Sequence, residues 1–443
     1  MKAYLSEGMS RREFLWLTAL SSAGFVTGCA VNPVTGKSQL MFISEDQEIA
    51  IDKENSPHQF SSDYGPVQDL ELNKYIDDTG KMIAGHTHRP HMPYSFRAVN
   101  ATYVNAYAFP GGSIACTRGI LLAMENEAEL AGLLGHELGH VNARHTAQQM
   151  SKGTITSLIL TGVGAYADER GSGLGDLTTG LGNIAAGALL AKYSRDNERE
   201  ADSLGMRYMV QSNYSPEGMV GLMDILRSMS KEKPNAIEMM FATHPMSDER
   251  YRTVVDAAAS KYRFAKDYPL YRDRYMDHTV RLRAKREAIE ELQNGEKAMG
   301  QKKFSDAETH FRKALELAPD DYAGLMMMSK CMLAQQKFTA AERYAEKAQE
   351  AYPQEAQAYQ ISGISRLMQK DFGGAYEEFS LYEKELPGNA DTVFFKGYSL
   401  EGMEKKEAAA AEYTQYLKAV SQGELAEHAY QRLIQWGYIR PQE

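Results

Sequence analysis

The chain has 443 residues, 43% hydrophobic and 24% charged. This ordinary globular usage predicts two or three domains and excludes a disordered chain, a collagen-like chain or a multi-span membrane protein. With 49 Lys+Arg against 59 Asp+Glu and no long basic run, nucleic acid is excluded as a partner, and three cysteines are too few for a disulfide framework.

Ser10-Arg11-Arg12-Glu13-Phe14-Leu15 opens a stretch that carries no charge from Phe14 to Gly28. It is shorter than the ~20 apolar residues that a bilayer core requires. A basic start, a short apolar run and a small-residue end describe a cleaved export signal. The arginine pair resembles a twin-arginine signal; an ordinary secretory signal with adjacent arginines is the alternative. Val26-Thr27-Gly28-Cys29 resembles a lipoprotein box. That resemblance implies loss of residues 1–28, lipidation of Cys29 and, with Ala30 following, an outer-membrane address. Cys116 and Cys331 fall in different predicted domains and are not expected to pair.

His86, His88 and His91 form a tract that Arg89, Pro90 and Pro93 make a loop, and no ligation is expected there. Tyr94 to Asn100, Tyr103 to Phe109 and Ser113 to Arg118 are β-rich, with Pro110-Gly111-Gly112 as the turn between the last two. An edge strand at Asn105, Ala106 and Tyr107 could pair with an extended substrate; a plain structural hairpin would carry the same pattern.

Residues 126–150 are predicted as one helix. Asn126 and Glu129 make a capping-box pattern, and Leu130, Leu133, Leu134, Leu138 and Val141 recur at helical spacing. The helix contains His136-Glu137-Leu138-Gly139-His140. One turn apart on one face, His136 and His140 can offer two imidazole nitrogens to one Zn²⁺, and Glu137 flanks them within reach of a metal-bound water. A three-histidine extension fails, because its further positions are Ala143 and Thr146. His145, one residue out of register, is expected to be a solvated helix residue.

Between Gly153 and Ala191 the chain is rich in Gly, Ala and Leu, interrupted by Asp168, Glu169, Arg170 and Asp176. Neither uncharged run is long enough to span a membrane, so a loop or helical pair near the site is expected. Ser194 to Asp202 begins a second helix, with Glu198 and Asp202 at i, i+4. Glu198 can complete a His₂Glu set with one open position, and Asp202 can accept the free ring N–H of a ligand histidine. A charged helix face would show the same spacing by itself.

His-Glu-x-Gly-His followed some sixty residues later by Glu-x-x-Ala-Asp resembles the HtpX and CaaX-prenyl-protease type of zinc endopeptidases. Residues 32–48, Asn105 to Gly112 and Thr243-His244-Pro245 resemble its soluble periplasmic branch. The resemblance implies one zinc ion at His136, His140 and Glu198, with Glu137 as general base. It also places His244 near the metal, as a fourth donor or an oxyanion stabiliser; a loop histidine capping the helix that starts near Ser247 is the alternative.

At an offset of 34 residues the C-terminal third repeats itself. Phe304, Phe338 and Phe372 align, as do Ala307, Ala341, Ala375 and Ala409. Phe311, Ala345, Phe379 and Tyr413 form an apolar column, and Gly295, Ser329, Gly363 and Gly397 a column of small residues. This is the tetratricopeptide period, about four units over 288–423 with a capping helix from Glu424 to Trp436. Such arrays bind peptides or partner proteins, or brace a neighbouring domain.

The expected architecture is an α+β zincin-like metalloprotease domain over 29–280, mostly helical with a small β-sheet, followed by an all-α tetratricopeptide-repeat superhelix over 288–440. The expected function is zinc-dependent endoproteolysis in the periplasm from a lipid-anchored position on the outer membrane. Substrates would be misfolded or stalled envelope proteins, with the repeats meeting them or the outer-membrane assembly machinery. The rival reading is a chaperone-like adaptor whose zinc is structural or latent.

Overall fold

The computed structural model describes residues 29–41, 43–150, 193–232 and 234–440. The export signal expected at 1–28 and the Gly-rich 153–191 segment lie outside the described residues. Strands β1 (Cys29–Val31) and β2 (Ser38–Leu40) pair antiparallel, with Cys29 opposite Leu40. Helix α1 (Glu45–Ser62) opens on a capping box between Ser44 and Gln47, and α2 (Leu70–Ala84) on the Asp69 carboxylate. Both satisfy amides that a helix start leaves bare.

Three strands follow: β3 (Ser95–Val99), β4 (Ala106–Ala108) and β5 (Ser113–Thr117). β5 lies in the middle, parallel to β3 and antiparallel to β4, so β4 is an edge. The expected strand from Tyr103 to Phe109 is regular only over β4. Just before it, the Asn105 N–H goes to the Thr117 hydroxyl, which replaces a backbone rung. Helix α3 (Arg118–Ala123) leads to α4 (Glu127–Asn142), whose start carries the expected Asn126–Glu129 capping box.

The single helix expected over 126–150 is broken. After Asn142 the chain turns, Arg144 adopts φ 59°, and helix resumes at 145. Tertiary contacts hold the break: Arg144 donates to Glu48 Oε1 at 2.9 Å and to the Ile43 carbonyl at 2.7 Å.

Helix α4 packs against α5 (Arg195–Gln211) along a seam of small residues. A Cβ on Gly135 would stand 2.9 Å from the Gly205 carbonyl oxygen, one on Gly139 2.9 Å from Ala201 Cα, and one on Gly205 2.7 Å from the His136 nitrogen. Those distances leave no room for a methyl, so the two backbones touch. Helices α6 (Glu217–Glu232), α7 (Pro234–Thr243), α8 (Asp248–Ala259) and α9 (Arg272–Ala284) complete the first unit.

The repeats form helix pairs: α10 (Arg286–Gly300) with α11 (Phe304–Leu317), α12 (Tyr322–Ala334) with α13 (Phe338–Ala351), α14 (Gln357–Met368) with α15 (Phe372–Glu385), and α16 (Ala390–Gly402) with α17 (Lys406–Ala419). Helix α18 (Glu424–Gln435) caps them. The column of small residues is where the aromatic column rests: a Cβ would meet Phe311 at 2.2 Å from Gly295, Phe379 at 2.9 Å from Gly363 and Tyr413 at 2.8 Å from Gly397. Leu325 to Met328 and Leu333 are buried core. Among the described residues no helix is long and apolar enough to cross a membrane.

The first helices of the repeats grip the first unit. Arg118 donates to Asp321 at 2.6 and 3.2 Å, with both side chains buried. Thr102 donates to Glu296, Ser61 to Glu355, and the Gln357 amide to the Ser61 carbonyl. Lys330 lies over the Tyr64 ring, 4.5 Å from its centroid. Part of the array is thus an intramolecular brace. Arg118→Met leaves Asp321 buried with Lys285 at 3.6 Å as its remaining cation. The expected cost in urea unfolding of the full chain is about 3 kcal/mol.

Candidate metal centre

The close seam brings one face of α4 against the first turn of α5. His136, His140, Glu198 and His244 are all buried, and one ligand atom from each lies within 4.8 Å of the others. The Nε2 atoms of His136 and His140 are 3.1 Å apart. Glu198 Oε2 is 3.7 Å from the first and Glu198 Oε1 3.5 Å from the second. His244, just past α7, brings its Nδ1 to 3.1 Å from Glu198 Oε1 and 3.4 Å from His136 Nε2. Ser247 rather than His244 caps α8, accepting from the Arg250 N–H.

This donor set fits a borderline divalent cation: imidazole nitrogens and a carboxylate oxygen converge in a space closed to solvent. Burial, with the neighbouring cationic groups, pushes the His140 pKa well below its ordinary value and favours the neutral imidazole that a metal binds. Glu137 adjoins the cluster and is only 1% exposed. Its Oε1 has no hydrogen-bond partner among the described residues, and His244 Nε2 stands 3.9 Å away. Burial raises the Glu137 pKa, the direction a general base working near neutral pH needs.

Asp202 lies behind His136, with Oδ1 2.9 Å from the ring Nδ1 but off the line of a good hydrogen bond. Arg250 holds Asp202 through two contacts of 2.8 Å and reaches Glu198 Oε2 at 2.5 Å. Burial works against the Asp202 carboxylate, but Arg250 and His136 outweigh it and bring its pKa down to about 2. The Tyr193 ring stacks on His140, centroids 3.9 Å apart. A narrow apolar recess lined by Leu133, Met219, Met223, Met240 and Phe241 borders His136 and His244.

Asn105 is fully buried, and both polar atoms of its side-chain amide lack hydrogen-bond partners among the described residues. The Tyr107 hydroxyl donates to Asp63 Oδ2 at 2.5 Å, and Ala106 pairs with Cys116. Cys29 lies at the head of β1. Cys116 and Cys331 are free and buried. His88 meets the Tyr208 hydroxyl and His91 meets Glu45, apart from the metal cluster.

One expectation is reversed: His145 is not solvated but 0% exposed, 3.0 Å from His140. On a continuous helix His145 would point off the site face; the break after Asn142 changes its direction. Arg250 and Tyr193 carry no motif signal in the sequence. Arg250→Met leaves Glu198 and Asp202 as buried carboxylates without a fixed cation. In denaturant unfolding of the metal-free chain the expected loss is about 3–5 kcal/mol. Arg250→Lys should restore only part of it, because an ammonium cannot make the paired contacts to Asp202.

Residues 71–258 match the model of peptidase family M48, and residues 298–362 match a tetratricopeptide repeat. The chain is 29% identical over 230 residues to a beta-barrel assembly-enhancing protease of Yersinia pestis, covering 49% of this chain and 45% of that protein. It thus spans less than half the length of that relative. It is 28% identical over 256 residues to metalloprotease YcaL of Escherichia coli, covering 56% of this chain and 97% of that one. Against the mitochondrial metalloendopeptidase OMA1 of Schizosaccharomyces pombe it is 25% identical over 250 residues, 55% of this chain and 72% of the relative. The buried His136, His140 and Glu198 all fall inside the matched stretch, and the chain carries a peptidase family M48 domain followed by tetratricopeptide repeats.

Proposed function

We propose that the protein is a zinc-dependent endopeptidase of the cell envelope. The observation that carries this is the meeting of His136, His140 and Glu198 beside a buried Glu137, one of whose oxygens has no partner among the described residues. In this reading those three residues hold one zinc ion. Zinc in such a set supplies a Lewis acid and makes water acidic enough to lose a proton near neutral pH. Glu137 Oε1 takes that proton and returns it to the leaving amine. Asp202 and Arg250 keep His136 and Glu198 in place. An extended substrate adds to the free side of β4 at Asn105, Ala106 and Tyr107.

The peptidase unit takes 29–280 and the repeats 288–440. Cys29 carries a lipid that tethers the chain to the periplasmic face of the outer membrane. Substrates are misfolded or stalled envelope proteins. The name of the Yersinia pestis relative, a beta-barrel assembly-enhancing protease, supports β-barrel proteins as the class. The repeat surface not engaged with the peptidase unit recruits these clients or the assembly machinery.

Purified full chain should cleave an unfolded envelope protein, lose cleavage to a chelator and regain it with zinc. Glu137→Gln should lower kcat by at least about 100-fold while zinc stays bound. Equal protection of the client by both proteins, without cutting, would favour the adaptor instead.

One observation favours a latent form. His244 Nδ1 sits among the other donors, and four protein ligands characterise a closed zinc site. His244 then has to leave before a substrate enters. His244→Ala is expected to raise the cleavage rate several-fold. A fall would instead assign His244 to stabilising the oxyanion.

A further inference from the structure

Both helix histidines of the candidate centre turn Nε2 inward, which leaves each Nδ1 facing out. Behind His136 stands a carboxylate, Asp202. Behind His140 stands another imidazole: His145 Nδ1 lies 3.0 Å from His140 Nδ1, with ring planes at 73°. The far nitrogen of His145, Nε2, lies 3.2 Å from Glu200 Oε2. His145 is 0% exposed, whereas the Glu200 side chain is 31% exposed, so the row runs from the buried centre to solvent. The break after α4 makes the row. A helix continued through residue 144 would carry His145 off this face, and the φ of 59° at Arg144 returns it beneath His140.

For two neutral imidazoles, the protons of this row have one consistent arrangement. An ionised carboxylate only accepts, so His145 Nε2 carries the hydrogen it gives to Glu200. His145 Nδ1 is then a bare lone pair, and the hydrogen between the rings belongs to His140 Nδ1. That leaves His140 Nε2 unprotonated and aimed at His136 Nε2, Glu198 and His244.

We propose that His145 and Glu200 are positioning residues that lock His140 in its metal-binding tautomer and ring orientation. The proposal rests on the metal-centre reading above and deepens it. It also accounts for the unlike backing of the two histidines. The centre already buries Glu137, Glu198 and Asp202 around one guanidinium, Arg250. A carboxylate behind His140 would add another buried negative charge at high desolvation cost. An imidazole can do the orienting without adding a negative charge, and it passes the hydrogen bond outward to the partly exposed Glu200 carboxylate.

The test is zinc affinity of the full chain, measured by competition with a chelating dye, alongside the ligand-field spectrum of the Co²⁺-loaded protein. His145→Phe keeps the ring and removes the acceptor. It should weaken zinc binding by roughly 10–100-fold and alter the cobalt spectrum. His145→Asn returns an acceptor oxygen and should recover most of that loss. Glu200→Ala, at a half-exposed position that does not threaten folding, should cost only several-fold, because water can replace the carboxylate. In ¹⁵N-resolved imidazole spectra of the zinc-loaded chain, His145 should carry its hydrogen on Nε2.

Unchanged affinity and spectrum in His145→Phe would overturn the proposal. So would His145→Asn binding as weakly as His145→Phe, or a hydrogen on His145 Nδ1. If His145→Phe fails to fold, the Asn and Ala variants and the tautomer still decide. A wild-type chain that binds no stoichiometric zinc would sink the metal centre itself, a different result from a wild type that binds zinc and a His145→Phe that binds it as well.

Discussion

The contact of two helix backbones sets the spacing of everything that surrounds the candidate metal. Gly135, Gly139 and Gly205, with Ala201, let α4 and α5 meet where any further side chain would intrude. Glycine in a helix costs about 1 kcal/mol relative to alanine, and α4 and α5 bear that cost at three positions. The return is geometric. Glu198 sits on the first turn of α5, so the distance between its carboxylate and the two imidazoles follows the distance between the helix axes. Metal sites tolerate only ~0.2 Å in their ligand distances. A methyl in the seam would open it by more than that.

Electrostatics supplies the second constraint. Three carboxylates are buried about this centre, and Arg250 is the fixed cation that touches two of them. Its two contacts to Asp202 and one to Glu198 tie the backing of His136 and a proposed ligand to the same guanidinium. Glu137 lies outside that clamp, with one oxygen unpartnered among the described residues. The division suits the proposed chemistry: Arg250 holds Asp202 and Glu198, and it does not touch the carboxylate proposed to exchange a proton.

Much of this was readable in the chain itself, because it rests on local periodicity. The four-residue interval between His136 and His140, and between Glu198 and Asp202, fixes a shared face on any helix. The 34-residue offset exposes the repeats, and the small column of Gly295, Gly363 and Gly397 is where the aromatic rings rest. What sequence did not reveal depends on distant contacts. His145 reaches the site only because Arg144, drawn to Glu48 across 96 residues, breaks the helix. Arg250 belongs to no motif, and its importance appears only once α8 is folded against α5. The brace between Arg118 and Asp321 joins residues 203 apart, and no local pattern announces it.

That brace has a practical corollary. Thr102 and Arg118 bracket β4 and β5, and each is fastened to a repeat helix. Severing the chain near Lys285 would therefore not release two self-sufficient modules. The first unit would keep a guanidinium whose counterion had gone, and β4 and β5 would lose their outer mooring. Excised fragments of this protein would report on a loosened sheet edge, and the joined polypeptide preserves the braced one.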